Sequence, residues 1–272
     1  GLVMAAGGLG ALTATAPVEA ALALTDWRGV FLVLAAATLV VALLVGTVPP
    51  EAPRARSGGS LAEQIAGLAT ILKSPVFRII APVAMVNQSV YFAAQGLWAG
   101  PWLRQSAGLS ADETAGVLLL MAGAMVAGHL GTGALAERLA RRGVPTRWLF
   151  LGGGLALTAC TVAAALNWTA APRLLWGLFG LVGTANVLSY AILSRRFPAS
   201  MAGRANTALN LLVFAGAFLM QWGMGAVIGL WPAAADGTSP PAAFSAGFGM
   251  AAGLLVLAWG WFLLTEHRLK EA

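Results

Sequence analysis

Charge is scarce in this chain. Of its 272 residues, 10% are Asp, Glu, Lys or Arg and 59% are hydrophobic, and the mean hydropathy is +0.81. A soluble domain carries about 25% charged residues, so a soluble fold is excluded. Cysteine is nearly absent. The single Cys160 can form no internal disulfide and lies in an apolar run, where it reads as a packing residue. No metal-ligand spacing, phosphate-binding glycine loop or nucleophile motif occurs, and no cofactor is implied. The short polar–apolar alternation of a membrane barrel is also missing. So are an initiator Met and a secretory leader pattern. Gly1 already stands inside an apolar run, and we expect a sequence truncated at its N-terminus.

What is present is a series of apolar runs, most near the ~20 residues a helix needs to cross a bilayer. They are Gly1 to Leu24, Gly29 to Val48, Val76 to Leu103, Thr114 to Leu135, Trp148 to Leu166, Leu174 to Leu193, Ala205 to Trp231, and Ala243 to Leu264. The expected fold is an all-α, polytopic membrane protein with eight transmembrane helices. The only long polar interval, Pro49 to Ser60, is rich in Pro, Gly, Ser and Arg and reads as a linker. Leu61 to Lys73 is amphipathic and too short to span, as expected of a surface helix. This divides the chain into 1–48, a linker region 49–74, and 75–272.

The net charge is +6, yet its placement points to topogenesis rather than nucleic acid binding. Of the 16 basic residues, only Arg28, Arg104 and Arg173 fall in one alternate set of loops; all the others fall in the second set. Basic loops stay cytoplasmic. The linker and the C-terminus are therefore expected in the cytoplasm, with the chain in the lipid bilayer of a bacterial inner membrane.

One run stands apart. Val76 to Leu103 carries Asn87, Gln88, Tyr91, Gln95, Trp98 and Trp102. At ~100° per residue these six share an arc of roughly 100°. Unpaired amides are costly in hydrocarbon, so this face must turn inward. Two readings stay open: the amides bond neighbouring helices, or they form a wall that binds a solute. Two ionisable residues also lie in apolar runs. Glu19 is either a functional acid or an interfacial carboxylate. His129 is either a proton-relay group or a neutral imidazole bonding a neighbour. Ser110 and Glu113 predict a capping box. Asn167-Trp-Thr matches a glycosylation sequon, which carries little weight in a chain expected to be bacterial.

The basic turn predicted at Gly133 to Val144 holds Gly133, Leu135, Glu137, Arg138, Arg141, Arg142 and Gly143. This run resembles the G-x-L-A-D-R-x-G-R-[KR] loop of the major facilitator superfamily, with Glu137 for the usual Asp and Ala140 for the Gly. Phe197 to Asn210 is similar to the start of that family's eleventh helix. GGLGALTATAP followed by DWRGVF resembles its fifth and sixth. Two spans, a linker and six spans then match helices five to twelve, which implies that helices one to four are missing.

The resemblance implies a secondary transporter working by alternating access, with a small-molecule solute and a coupling ion, the proton by default. It places Val76–Leu103 and Leu174–Leu193 as the seventh and tenth helices, which line the cavity. Asn186 and Tyr190 would then face Asn87, Gln88, Tyr91, Gln95 and Trp98, and Asn206, Asn210 and Gln221 would lie at the flank. Glu19 and His129 are the candidate coupling groups. Gly133, Glu137, Arg138, Arg141, Arg142 and Arg204 would form the cytoplasmic gating motif. The alternative is a membrane-embedded enzyme acting on a lipid or prenyl substrate. The expected His or carboxylate clusters of such enzymes are not seen in the sequence, so no enzymatic role is expected.

Overall fold

The computed structural model describes residue 10, residues 16–47 and residues 60–270. The elements there are helical. They are α1 (Ala16–Leu22), α2 (Trp27–Thr47), α3 (Leu61–Lys73), α4 (Pro75–Ala93), α5 (Ala99–Gln105), α6 (Ala111–Arg141), α7 (Thr146–Ala165), α8 (Pro172–Gly183), α9 (Leu188–Ser194), α10 (Ala199–Ile228) and α11 (Pro241–Thr265). A π turn, Ala94–Trp98, joins α4 to α5 as one span; a 3-10 turn, Thr184–Val187, joins α8 to α9 as another. Seven helices among the described residues are long and apolar enough to cross a membrane. The eighth expected span, Gly1 to Leu24, lies mostly outside them. So does most of the Pro49 to Ser60 linker.

Six of the seven spans form one bundle. The α4–α5 span packs against α10 and α11, α6 against α8, and α7 against α8 and α11. The amphipathic α3 rests on α10 and α4 through Ile71, which is fully buried. By contrast α2 buries none of its residues. Its outer surface is Leu, Val, Ala and Phe, which suits lipid or further helices.

Two bundle cores are aromatic. Toward one end Trp102, Trp176, Phe179 and Phe248 meet; toward the other, Phe150, Trp259 and Phe262. Small residues let the spans approach. A Cβ on Gly154 would enter the Trp259 ring, and one on Gly183 would enter the Tyr91 ring. Asn167 takes a positive φ of 51° just beyond α7 and ties it to α11, donating to Pro241 O (3.1 Å) and Ser245 Oγ (2.6 Å). The capping box forms: Ser110 Oγ accepts from Glu113 N, while the Glu113 carboxylate accepts from Ser110 N at 2.9 Å.

Two sequence expectations change. The six-residue polar arc assumed an unbroken α-helix. The π turn inserts about one extra residue and rotates the remainder of the span. Trp102 therefore leaves the Gln88 face, donates to Ala164 O (3.0 Å) and packs edge-on against Trp176. The basic motif is also not a loop. Gly133 to Arg141 continues α6, and the turn starts only at Arg142, with Gly143 at φ 75°.

Candidate functional site

The α8–α9 span breaks where its own side chains bond the backbone. Thr184 Oγ1 donates to Leu181 O (2.7 Å), and Ser189 Oγ donates to Asn186 O (2.7 Å). Such local bonds compete with the α-helical ladder. The resulting 3-10 turn presents Asn186, fully buried, toward α4. Its amide nitrogen donates to Gln88 Oε1 (2.8 Å) and Ala84 O (3.2 Å), and its oxygen accepts from Asn87 Nδ2 (3.3 Å). Three amides thus join the α4–α5 and α8–α9 spans across the bundle.

In front of this cluster lies a cavity of about 460 Å³. Its polar wall is Gln88, His129, Tyr190, Asn206, Thr207 and Asn210. Phe92 and Phe214, stacked with centroids 6.0 Å apart, close its apolar side. Tyr190 OH donates to Asn210 Oδ1 (3.0 Å), and Asn206 Nδ2 donates to Ser194 Oγ (2.9 Å), so α9 and α10 hold each other's polar groups in place. No Asp, Glu, Lys or Arg lines the cavity among the described residues. Gln88 stands 13 residues along a 31-residue span, so at 1.5 Å per residue it lies roughly 20 Å from the end nearest the linker.

The predicted site residues separate into groups. Gln88 and Tyr190 line the cavity. Asn87 and Asn186 are buried behind Gln88 and orient it. Tyr91 lies in the contact between α4 and α8: its OH donates to Gly180 O (3.1 Å) and its ring stacks on Phe179 at 5.6 Å. Gln95 and Trp98 sit in the π turn, away from the cavity, and Trp98 Nε1 donates to Gln221 O (3.2 Å). Gln221 does not line the cavity either; Asn206 and Asn210 do. Sequence reasoning missed Phe92, Phe214, Val187 and Thr207. Only their spacing from Gln88, Tyr190 and Asn210 could have signalled them.

His129 projects from α6 into the same cavity, and its buried Nδ1 makes no hydrogen bond among the described residues. Glu19 lies on α1. In the basic motif Glu137 accepts from Arg141 at 2.7 Å, but both side chains are about 70% exposed. Such a pair adds ~0.3–0.5 kcal/mol. Gly133, Arg138 and Arg142 are exposed as well. Arg204 lies elsewhere, with its guanidinium over Gly67 of α3, and no ion pair links it to Glu137 among the described residues.

A bundle of apolar spans around a buried amide cluster and a cavity without Asp, Glu, Lys or Arg defines an integral membrane protein of the polytopic helical class. The profile of the Major Facilitator Superfamily matches residues 1–221, and the chain belongs to that family. Its fold is similar to the crystal structure of a bacterial homolog to the human lysosomal transporter Spinster, solved in an inward-facing and unoccupied conformation. Identity to that protein is 19%, the TM-score is 0.58, and the match covers 89% of this chain. The chain spans 59% of the length of that structure.

Proposed function

We propose that this chain contributes a large part of a secondary transporter that moves a small, uncharged organic solute by alternating access. The observation that carries this reading is the uncharged cavity beside two interrupted spans. Transporter sites lie where helices are discontinuous and where irregular backbone faces a cavity rather than lipid. Here the 3-10 turn borders such a cavity through Val187, and the π turn interrupts, further along, the span that supplies Gln88 and Phe92. Its amides and the Tyr190 hydroxyl supply directional bonds, and Phe92 and Phe214 supply contact area. In this reading the region from residue 75 onward is one half of the transporter, 49–74 is the linker, and helices that precede the family's fifth complete the opposite wall.

The coupling ion in this reading is the proton. His129 is the imidazole in the cavity wall, the side-chain type whose ordinary protonation change lies near physiological pH, and Glu19 of α1 is a second candidate. Glu137, Arg138 and Arg141 at the end of α6, with Arg142 in the turn after it, meet the other half and latch one conformation. The test is counterflow and net solute movement in proteoliposomes of the proposed transporter, the second read with and without an imposed pH gradient. Counterflow with an uncharged solute, and net movement against the solute gradient that the pH gradient drives, are the expected results. Net movement indifferent to the pH gradient removes the proton from the reading, and absence of counterflow with any uncharged solute in a broad panel removes the site.

A further inference from the structure

Pro82 sits inside α4 and has no N–H. The carbonyl it would have bonded is that of Arg78, four residues back. The structure supplies a substitute from another span: Trp261 Nε1 of α11 donates to Arg78 O at 3.2 Å. This bond holds the indole across a groove of about 400 Å³. Leu72 of α3, Pro82 and Met85 of α4, and Leu212 of α10 form its other apolar walls, and Arg78 lines its rim.

Three features say what fills it. First, depth: Arg78 is three residues into its span and Trp261 four residues from the end of its helix, so both lie roughly 5–6 Å inside the helix ends. That is interfacial depth, where Trp concentrates and where Arg reaches headgroups. Second, charge: the Arg78 side chain is exposed and in no ion pair with a described carboxylate, no acidic residue lines the groove, and exposed Lys73 is next in sequence to Leu72. Third, separation: the groove shares no residue with the solute cavity, since Leu212 faces one and Asn206 and Asn210 face the other from the two sides of α10.

We propose that this groove binds one anionic phospholipid, with an acyl chain against Pro82, Met85 and Leu212 and the phosphate on the Arg78 guanidinium. Guanidinium matches phosphate with paired, charge-assisted hydrogen bonds. The groove lies at the end of the bundle that carries most of the basic loops, where anionic lipid adds attraction. Bound there, the lipid would fasten the amphipathic α3 to α10 and α11 and so brace the linker region.

The test is native mass spectrometry of the detergent-purified chain, incubated with phosphatidylglycerol or with phosphatidylcholine of the same acyl chains. The unaltered chain should retain phosphatidylglycerol about tenfold better, the scale of one charged hydrogen-bond set. Arg78→Gln should bring the two lipids level while Arg78→Lys keeps most of the preference. Met85→Trp, which fills the groove, should reduce retention of both. Equal retention of the two lipids by the unaltered chain overturns the proposal, and this arm needs no variant to fold. A folded Arg78→Gln with undiminished preference, or a folded Met85→Trp that retains lipid normally, overturns it as well.

Discussion

Gln88 and Asn186 touch, yet they do different work. Asn186 is fully buried and serves three partners; Gln88 is half-buried and lines the cavity. Sequence alone treats them alike, as one polar face. Burial separates them. Leaving a buried polar group without its partner costs about 1–3 kcal/mol, and Asn186→Ala strands the Asn87 amide and the Gln88 oxygen. We therefore expect Asn186→Ala to lower the Tm and folded yield of the purified chain by the equivalent of about 1–3 kcal/mol. Gln88→Ala should lower Tm less, because Asn186 Nδ2 keeps Ala84 O as an acceptor and the lost partner faces the cavity. In the transporter proposed above it should raise the transport KM by several-fold to about a hundredfold. The opposite pattern, with Gln88→Ala unstable and Asn186→Ala altering only KM, would show that the cavity wall has been assigned backwards.

At the scale of elements, two helices owe their packing to irregularity. The π turn lets Trp98 reach Gln221 O while Trp102 reaches Ala164 O between α7 and Trp176. Deleting Gly96 removes one residue and would restore α register, turning α5 by ~100°. Trp102 would leave its slot, and its buried N–H would lose its acceptor. The deletion should abolish a monodisperse elution peak, whereas Gly96→Ala, whose Cβ meets only the Gln221 amide at 3.4 Å, should not. The second irregular span depends on close approach to α4. A Cβ at Gly183 would enter the Tyr91 ring, which Phe179 stacks and Gly180 O anchors. The ring has no room to retreat. Gly183→Ala should cost about 1–3 kcal/mol as an overpacked core, read as a lower Tm; Gly203→Ala, with open space around its Cβ, is the matched control.

The whole molecule has a sidedness that its charges predict. The Arg142 turn should face the cytoplasm and Asp236 the opposite side. Asp236 sits in a tight turn in which its carboxylate accepts from Thr238 N (3.0 Å) and Thr238 Oγ1 (2.6 Å), bonds that hold its pKa below the usual carboxylate value. In a Cys160→Ala background, a cysteine at Asp236 should react with an impermeant reagent in intact cells, and one at Arg142 only after lysis. Labelling in the reverse order would invert the topology. Transport is a property of two halves around one site. On the two-half reading proposed above, the chain reconstituted alone should show no concentrative uptake or efflux, and either one would refute that reading.

The sequence by itself determined the class, the spans of the bundle and the family. Hydrophobic run lengths set the spans, because lipid leaves a buried backbone no partner but its own helix. The capping box at Ser110 and Glu113 was legible for the same local reason. The candidate cavity was legible in part: Gln88, Tyr190, Asn206 and Asn210 stand out as polar residues in apolar runs. What the sequence could not show is which polar residues share a face, because that inference assumes an unbroken α-helix. Only the tertiary structure decided that the α4–α5 span takes a π turn, and it fixed the partners of the 3-10 turn that Thr184 and Ser189 favour locally in the α8–α9 span. Those choices depend on partners distant in the chain: Ala164 and Trp176 for Trp102, Gln221 for Trp98, and Ala84, Asn87 and Gln88 for Asn186. A helix gives up its regular ladder when contacts from other spans compensate the lost bonds, and those contacts exist only in the packed bundle.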